Sequence, residues 1–246
     1  MKQKLLRLEI SLLSFQTALE NLVDLAVRKQ PASASFCNVH MCVEAWDKPE
    51  VEEAVNGADF VFADGAPVAK AVSWLSGQMQ ERIAGMDVIA PLLKAFDAKG
   101  LRLFVLGGSE HTQAVLRQRW PLEYPGLVVE GYSPPFRPWS ETDYLDMQNR
   151  ILDFDPHAVF VILGCPKQEL WMHRMRSRVP RLLLALGGAL PTVLGLQKRA
   201  PAWMQKLMLE WVYRLIQEPG RLWRRYLYTN LKFVWLFSRI HFFRGR

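Results

Sequence analysis

The stretch "VFVILGCPKQELW", Val159 to Trp171, runs from five apolar residues into Gly164, Cys165 and Pro166 and then into three adjacent polar side chains, Lys167, Gln168 and Glu169. An uninterrupted apolar run of this kind suits a strand covered on both faces, as in a parallel sheet. In such sheets ligands bind where the strands end at their carboxyl side. The Lys-Gln-Glu cluster therefore reads either as a ligand-facing group or as a surface turn opening an ordinary helix.

The segments on either side repeat the pattern. Residues 16–29 place Ala18, Leu22, Leu25 and Ala26 on one helical face. "ASFCNV" and "DFVFADG" read as strands joined by a helix over residues 42–56, and "MDVIAPLLKAFDAKG" as a helix closed by Gly100. "LRLFVLGG", "LVVEGY", "AVFVILG" and "RLLLALGGAL" are further strands, with "EHTQAVLRQRW", "ETDYLDMQNRILDFD" and "KQELWMHRMRSRV" as helices and "SPPFRPWS" as a Pro-rich loop. Strands separated by helices of about 10–15 residues predict βαβ units: an α/β fold with a Rossmann-like, mostly parallel sheet flanked by helices.

The chain has 246 residues, half of them hydrophobic, enough for a substantial core. Its three cysteines, Cys37, Cys42 and Cys165, have no metal-ligand spacing and point to a reducing compartment. The start, "MKQKLLRLEISLLSF", is interrupted by Arg7 and Glu9 and has no small-residue cleavage site, so no signal peptide is expected. No uncharged apolar run reaches the roughly 18 residues of a membrane span.

The net charge of +7 is local. Residues 198–246 hold eleven Lys or Arg against two Glu, net +9, and the preceding 197 residues are net −2. Four of the nine tryptophans also fall there, and Pro219-Gly220 divides a helical pattern in two. Residues 1–197 are thus expected to form the α/β domain and 198–246 a helical, basic, aromatic appendage. Such a segment fits an anionic membrane interface. It also fits single-stranded nucleic acid or a helix packed on the body. Its content of Leu, Val, Ile and Phe exceeds what base stacking needs, so no nucleic-acid partner is expected.

Polar clusters stand at four expected strand ends: Asn38 with His40, Asp64 with Gly65, Gly107 with Gly108 and Ser109, and Lys167 with Gln168 and Glu169. Parallel strands bring these to one edge. "LGGSEHT" resembles a phosphate-binding loop, but the full G-x-G-x-x-G and an acidic ribose ligand are missing, which disfavours hydride transfer and leaves a nucleotide diphosphate open. In "ERIAGMDVI", Arg82 is either an exposed loop charge or a clamp for a pyrophosphate, with Asp87 in the first turn of the next helix. Asp153 and Asp155 match an Asp-x-Asp metal signature but precede a strand, at the wrong edge of the sheet, and read as a turn. The histidines show no ligand-pair spacing, so no metal site is expected.

Taken in order, "FADG", "RIAGMD", "LFVLGGS", "GCPKQELW", "RAPAWMQ" and "LEWVYRLIQEPGRLWRRY" resemble the WecG/TagA/CpsF glycosyltransferases over residues 36 to about 228. "CNVHM" and "SPPFRP" are similar to the exopolysaccharide branch of that family, which includes the xanthan-type glucosyltransferase. The resemblance implies an inverting hexosyltransferase at the cytoplasmic face of the bacterial inner membrane. It would move sugar from a UDP-sugar to a saccharide on undecaprenyl diphosphate, without cofactor or metal. It makes Asp64 the general base, places Arg82 and Gln168 in the site, and closes Arg214, Arg221 and Arg224 over the donor diphosphate. Two positions depart: Pro191 stands where many relatives carry Asp, and Phe36 where many carry Thr. The Pro191 departure motivates a rival reading, a non-catalytic binding or scaffolding protein of a polysaccharide assembly complex.

Overall fold

Six short, mostly apolar segments lie side by side in the computed structural model. β3 (Ala32–Cys37), β4 (Phe60–Ala63), β5 (Arg102–Gly107), β6 (Val128–Tyr132), β7 (Ala158–Ile162) and β8 (Leu182–Ala185) form one sheet in the order β4-β3-β8-β7-β5-β6. Every neighbouring pair is parallel, with Phe36 opposite Phe62 and Phe104 opposite Val159. The structure describes residues 1–201, 203–204 and 210–242, without the side chains of Arg221, Leu222 and Phe242.

The connecting helices are α1 (Phe15–Val27), α2 (Val39–Asp47), α3 (Pro49–Asn56), α4 (Ala66–Ser76), α5 (Gly85–Ala98), α6 (Glu110–Glu123), α7 (Glu141–Phe154), α8 (Lys167–Met175) and α9 (Leu190–Val193). They cover both faces because successive strand residues point to opposite sides. Leu103 and Phe160 pack on one side with Leu22, Leu92, Phe96 and Trp120. Their neighbours Phe104 and Val159 pack on the other with Met147, Ile151, Trp171 and Met172. Two-sided burial explains why β7 reads as an unbroken apolar run.

Three elements differ from the sequence expectation. Residues 2–5 and 8–11 form an antiparallel hairpin, β1 (Lys2–Leu5) and β2 (Leu8–Ser11), whose Leu5, Leu8 and Ile10 are fully buried. Its charged residues interrupt the apolar run because strand side chains alternate between core and solvent. The helix expected over 42–56 is two helices, since the residue before proline is driven to extended backbone and Lys48 adopts φ −129°, ψ 105° ahead of Pro49. α4 was not expected at all, although proline in its first turn and a left-handed Gly77 at its end are helix punctuation.

The carboxy-terminal segment is helical, as expected, with α10 (Glu210–Gln217) and α11 (Pro219–Phe242) separated at Pro219. Phe233 and Leu236 of α11 enter a core cluster with β1, β2, α2 and α4. Asp47 at the end of α2 accepts hydrogen bonds from Tyr228 Oη at 3.0 Å and Lys232 Nζ at 2.5 Å. No helix among the described residues is long and apolar enough to cross a membrane.

The strand order changes direction once between β5 and β7. β5 continues to β6 at one edge, whereas its neighbour β7 continues to β8 in the opposite direction. Neighbouring strands whose continuations diverge leave a crevice at their carboxyl ends.

Candidate active site

Asp64 follows the last residue of β4. Its N–H donates to Cys37 O at 2.8 Å, and Ala63 O accepts from Ile83 N at 2.9 Å. These bonds tie the ends of β3 and β4 to the segment that carries Arg82. Gly65 makes the turn at φ 100°, a conformation that a side chain would strain. Burial pushes the Asp64 carboxyl up to about 6; Arg214 and Arg82 pull it down, and Asp87 and Glu210 push it up. The carboxylate is thus half-buried between two guanidinium groups, ionised at neutral pH and basic enough to take a proton.

Arg82 is not an exposed loop charge. Its Nη2 donates to Asp87 Oδ2 at 2.6 Å and its Nη1 to Glu210 Oε2 at 2.5 Å. Arg199 pairs with the other oxygen of Asp87 and lies 3.8 Å from Glu210 Oε1. Two cations and two carboxylates therefore bridge the body to α10. Arg214, one turn beyond Glu210, makes no ion pair among the described residues. Its Nη1 lies 3.6 Å from where a side chain on Gly188 would begin. Met86, Thr192, Glu210, Tyr213 and Arg214 line a small cavity there. Pro191 opens α9 beside this cavity, so the departure from the family pattern adjoins Arg214.

The opening Lys-Gln-Glu cluster divides. Gln168 is 5% exposed. Its Oε1 accepts from Gly164 N at 3.2 Å and Gly187 N at 3.0 Å, and its Nε2 donates to Glu169 Oε1 at 2.8 Å. It pins the loops after β7 and β8 together, leaving no group of its amide oxygen facing outward to read a ligand. Glu169 is buried behind it, and burial pushes its carboxyl up to about 7. Lys167 is exposed and sets its Nζ 3.5 Å from the ring centre of Trp139, in the Pro-rich loop.

Gly107 and Gly108 lie at the crevice, but as a close backbone crossing. A side chain on Gly107 would begin 2.4 Å from Ile162 O, and Gly108 N donates to that same oxygen at 3.0 Å. The Gly108 N–H is thereby committed to the sheet, so the phosphate-loop reading of "LGGSEHT" loses that donor. Asp155, expected in a turn, sits at φ 49° after α7 and pairs with Lys29 and Arg181.

Asn38 caps α2, its Oδ1 accepting from Met41 N at 3.1 Å. His40 follows in the first turn. Burial lowers its pKa, and Arg225 of α11 lowers it further. Arg224 points away on the exposed side of α11, its guanidinium 5.3 Å from the Trp223 ring centre. The side chain of Arg221 lies outside the described residues. Asp64, Arg82, Asp87 and Arg214 thus meet at one place, His40 and Arg225 at a neighbouring one, and Arg224 at neither. Sequence reading missed Glu210, Arg199 and Arg225. For Arg225 a signal existed, because Arg225, Thr229, Phe233 and Leu236 recur at helical spacing on the side of α11 that packs inward.

Comparison with known proteins identifies the family. The family model described as "Glycosyl transferase WecG/TagA/CpsF family" matches residues 3–246. An N-acetylglucosaminyldiphosphoundecaprenol N-acetyl-beta-D-mannosaminyltransferase of Bacillus spizizenii (strain W23) is 35% identical over 191 residues, covering 77% of this chain and 72% of that protein. A protein of the same name from Bacillus subtilis (strain 168) is 32% identical over 201 residues, covering 81% and 77%. With a family match over nearly its whole length and relatives of this identity and coverage, the chain belongs to the WecG/TagA/CpsF family of glycosyl transferases.

Proposed function

We propose that the protein transfers a sugar from a UDP-sugar to a saccharide held on undecaprenyl diphosphate, inverting the anomeric carbon, with Asp64 as general base. The observation that carries this reading is one half-buried carboxylate held near pKa 6 between the guanidinium groups of Arg82 and Arg214. The names of the relatives supply the acceptor chemistry.

In the step itself, an acceptor hydroxyl oxygen bonds to the anomeric carbon while the bond from that carbon to the diphosphate oxygen breaks. The hydroxyl proton passes to Asp64, and UDP leaves with the bonding pair. Attack opposite the leaving group converts an α-linked sugar nucleotide to a β product, the configuration in the relatives' names. Negative charge grows on the departing diphosphate, where fixed guanidinium groups stabilise it. Arg214 is free to do so, and Arg82 is freed when the donor replaces Glu210. No divalent cation is needed for this role.

The donor is a UDP-hexose or its 2-acetamido counterpart. The segments Cys37–Met41 and Ser133–Pro138 favour the first through their exopolysaccharide-like pattern, and the names of the relatives favour the second. Phe36 acts on the choice indirectly: it is buried 5.3 Å from the Phe62 ring and packs against Gly85. Residues 1–197 act as the catalytic unit and 198–246 as an appendage that meets the cytoplasmic face of the membrane. Trp223, Leu227, Leu231, Val234 and Trp235 stay exposed along one side of α11, with Arg224 and Arg239 beside them, as in an interfacial helix.

Mass analysis of products from a panel of UDP-sugars with one lipid-linked acceptor tests the reaction. Transfer that Asp64→Asn abolishes supports it. Sugar-nucleotide binding without transfer by the wild type favours the scaffolding reading that Pro191 raises.

A further inference from the structure

Glu169 is a buried carboxylate that the proposed chemistry does not use. Its residue is 1% exposed, and it forms no salt bridge among the described residues. Burying a carboxylate without a cation costs far more than burying an apolar side chain of the same size. Stability alone therefore gives no reason for an acid at this place. Its one side-chain contact within the site is specific: Oε1 accepts from Gln168 Nε2 at 2.8 Å.

That contact fixes which way the Gln168 amide points. Its other end faces two backbone donors, Gly164 N at 3.2 Å and Gly187 N at 3.0 Å, and only an oxygen can face both. The two ends of an amide have nearly the same shape, so an acceptor on the NH₂ side holds the orientation. The joint has no slack, since a side chain on Gly187 would begin 2.4 Å from Gln168 Oε1. From Gly187 the chain passes to Gly188, where a side chain would begin 3.6 Å from Arg214 Nη1. The turn closes with Ala189 N donating to Leu186 O at 3.0 Å, and Val193 N donates to Ala189 O at 3.1 Å. Thr192, in the same short helix, lines the cavity that holds Arg214. A run of short contacts thus leads from Glu169 through Gln168 to the wall behind Arg214.

We infer that Glu169 is a positioning residue for the donor diphosphate: through the Gln168 amide it fixes the Gly187–Gly188 turn that backs Arg214. The inference rests on the proposed transferase reading, in which Arg214 meets the departing diphosphate, and it adds a residue that touches neither substrate. Charge stabilisation depends on donors already in place when the charge develops, and a misplacement of about 1 Å is costly. Arg214 makes no ion pair among the described residues, so the wall it lies against sets where its guanidinium stands.

The test is calorimetric titration of UDP into wild type, Glu169→Ala, Glu169→Gln, Arg214→Gln and the double variant Glu169→Ala with Arg214→Gln, each first melted to establish that it folds. Loss of the Arg214 charge weakens UDP about 10- to 100-fold. Glu169→Ala weakens it about 5- to 20-fold, and Glu169→Gln, which keeps an acceptor oxygen for Gln168 Nε2, recovers most of that loss. In the Arg214→Gln background Glu169→Ala costs no further affinity, because residues acting through one another are not additive. If Glu169→Ala does not fold, Glu169→Asp, which draws the carboxylate back by one methylene, takes its place with the same expectation. With active enzyme, KM for the UDP-sugar rises and KM for the acceptor does not. A lower melting temperature with wild-type UDP affinity makes Glu169 merely structural and overturns the inference. Additive losses in the double variant overturn it as well. A wild type that binds UDP but transfers no sugar sinks the proposed reaction and leaves the cycle to decide the role of Glu169. A wild type that binds no UDP overturns both.

Discussion

The guanidinium of Arg82 meets the carboxylate of Glu210 at 2.5 Å across 128 positions of sequence. Asp87 takes the other end of the same guanidinium at 2.6 Å. Both carboxylates hold the place that an anionic donor group would take at Arg82, and the one from α10 must yield for a diphosphate to bind there. In Glu210→Gln the competitor is gone, and KM for UDP-sugar falls roughly 2- to 5-fold, the worth of a partly exposed ion pair. Steady-state kinetics decide it: a raised KM means that Glu210 matters more for holding α10 in place.

With Asp64 as the proposed base, its carboxyl at about 6 would set the pH dependence of the reaction. A base must be ionised to accept a proton, so kcat/KM falls as pH drops through about 6. Glu210 raises this pKa, so the acid limb of the Glu210→Gln profile moves to lower pH. An acid limb that stays put in that variant assigns the titration to another group.

Stability carries the opposite sign. The folded pKa of Asp64 lies above its ordinary 3.8, so the folded chain holds that proton more tightly than the unfolded chain. The resulting contribution to stability is present below pH 3.8 and is lost as pH rises through about 6. Asp64→Asn removes the cost of the buried charge, on the order of 1–3 kcal/mol after allowance for partial exposure. The variant therefore melts higher than wild type at pH 8, by about 2–4 °C per kcal/mol. Thermal melts across pH should show the gap shrinking toward pH 4. An equal gap at both ends contradicts the assigned shift.

Gln168 joins two loops whose backbone N–H groups, at Gly164 and Gly187, have no other partner among the described residues. Gln168→Ala leaves both donors unmet and costs about 1–3 kcal/mol. Gly187→Ala is as severe for another reason, because its new carbon would lie 2.4 Å from Gln168 Oε1 and 2.9 Å from Gly164 N. Denaturant unfolding of both variants checks this. Wild-type stability with weakened donor binding in Gln168→Ala returns that side chain to a ligand-reading role.

In the proposed mechanism guanidinium groups take the place of a cation, which would make the reaction insensitive to metal removal. Transfer in the presence of a chelator is expected to match the untreated rate, and added Mg²⁺ to leave it unchanged. A rate that collapses on chelation and returns with Mg²⁺ contradicts that assignment of roles.

Much of the fold was legible because a parallel sheet buries its strands on both faces. Val159–Ile162 and Leu103–Leu106 are apolar without a break, and a glycine follows within two residues where each strand leaves the core. The β1–β2 hairpin was not, since Arg7 and Glu9 alternate with buried Leu8 and Ile10 over too short a span to show a period. Asp64, Arg82, Asp87 and Arg214 were singled out from motif order and resemblance, and the fold brings their charges together. Arg199 and Glu210 were not, because their partnership with Arg82 and Asp87 is made only by folding α10 back on the body. Gln168 was expected to face a ligand, and in the fold its amide oxygen meets two backbone N–H groups, because the same amide that suits a sugar also suits the main chain. Arg224 and Arg225 are adjacent, about 100° apart around a helix, and both sides of α11 carry aromatics. Only the packing of Thr229, Phe233 and Leu236 decides which arginine turns inward.

The most direct test is the rate at which wild type and Asp64→Asn move sugar from UDP-sugars to a diphosphate-linked lipid acceptor at pH 7.5, read as product mass and released UDP. The expected result is a β-linked product from the wild type and a rate lower by about 100- to 10,000-fold in the variant, which still binds UDP. Transfer by Asp64→Asn at the wild-type rate contradicts the account.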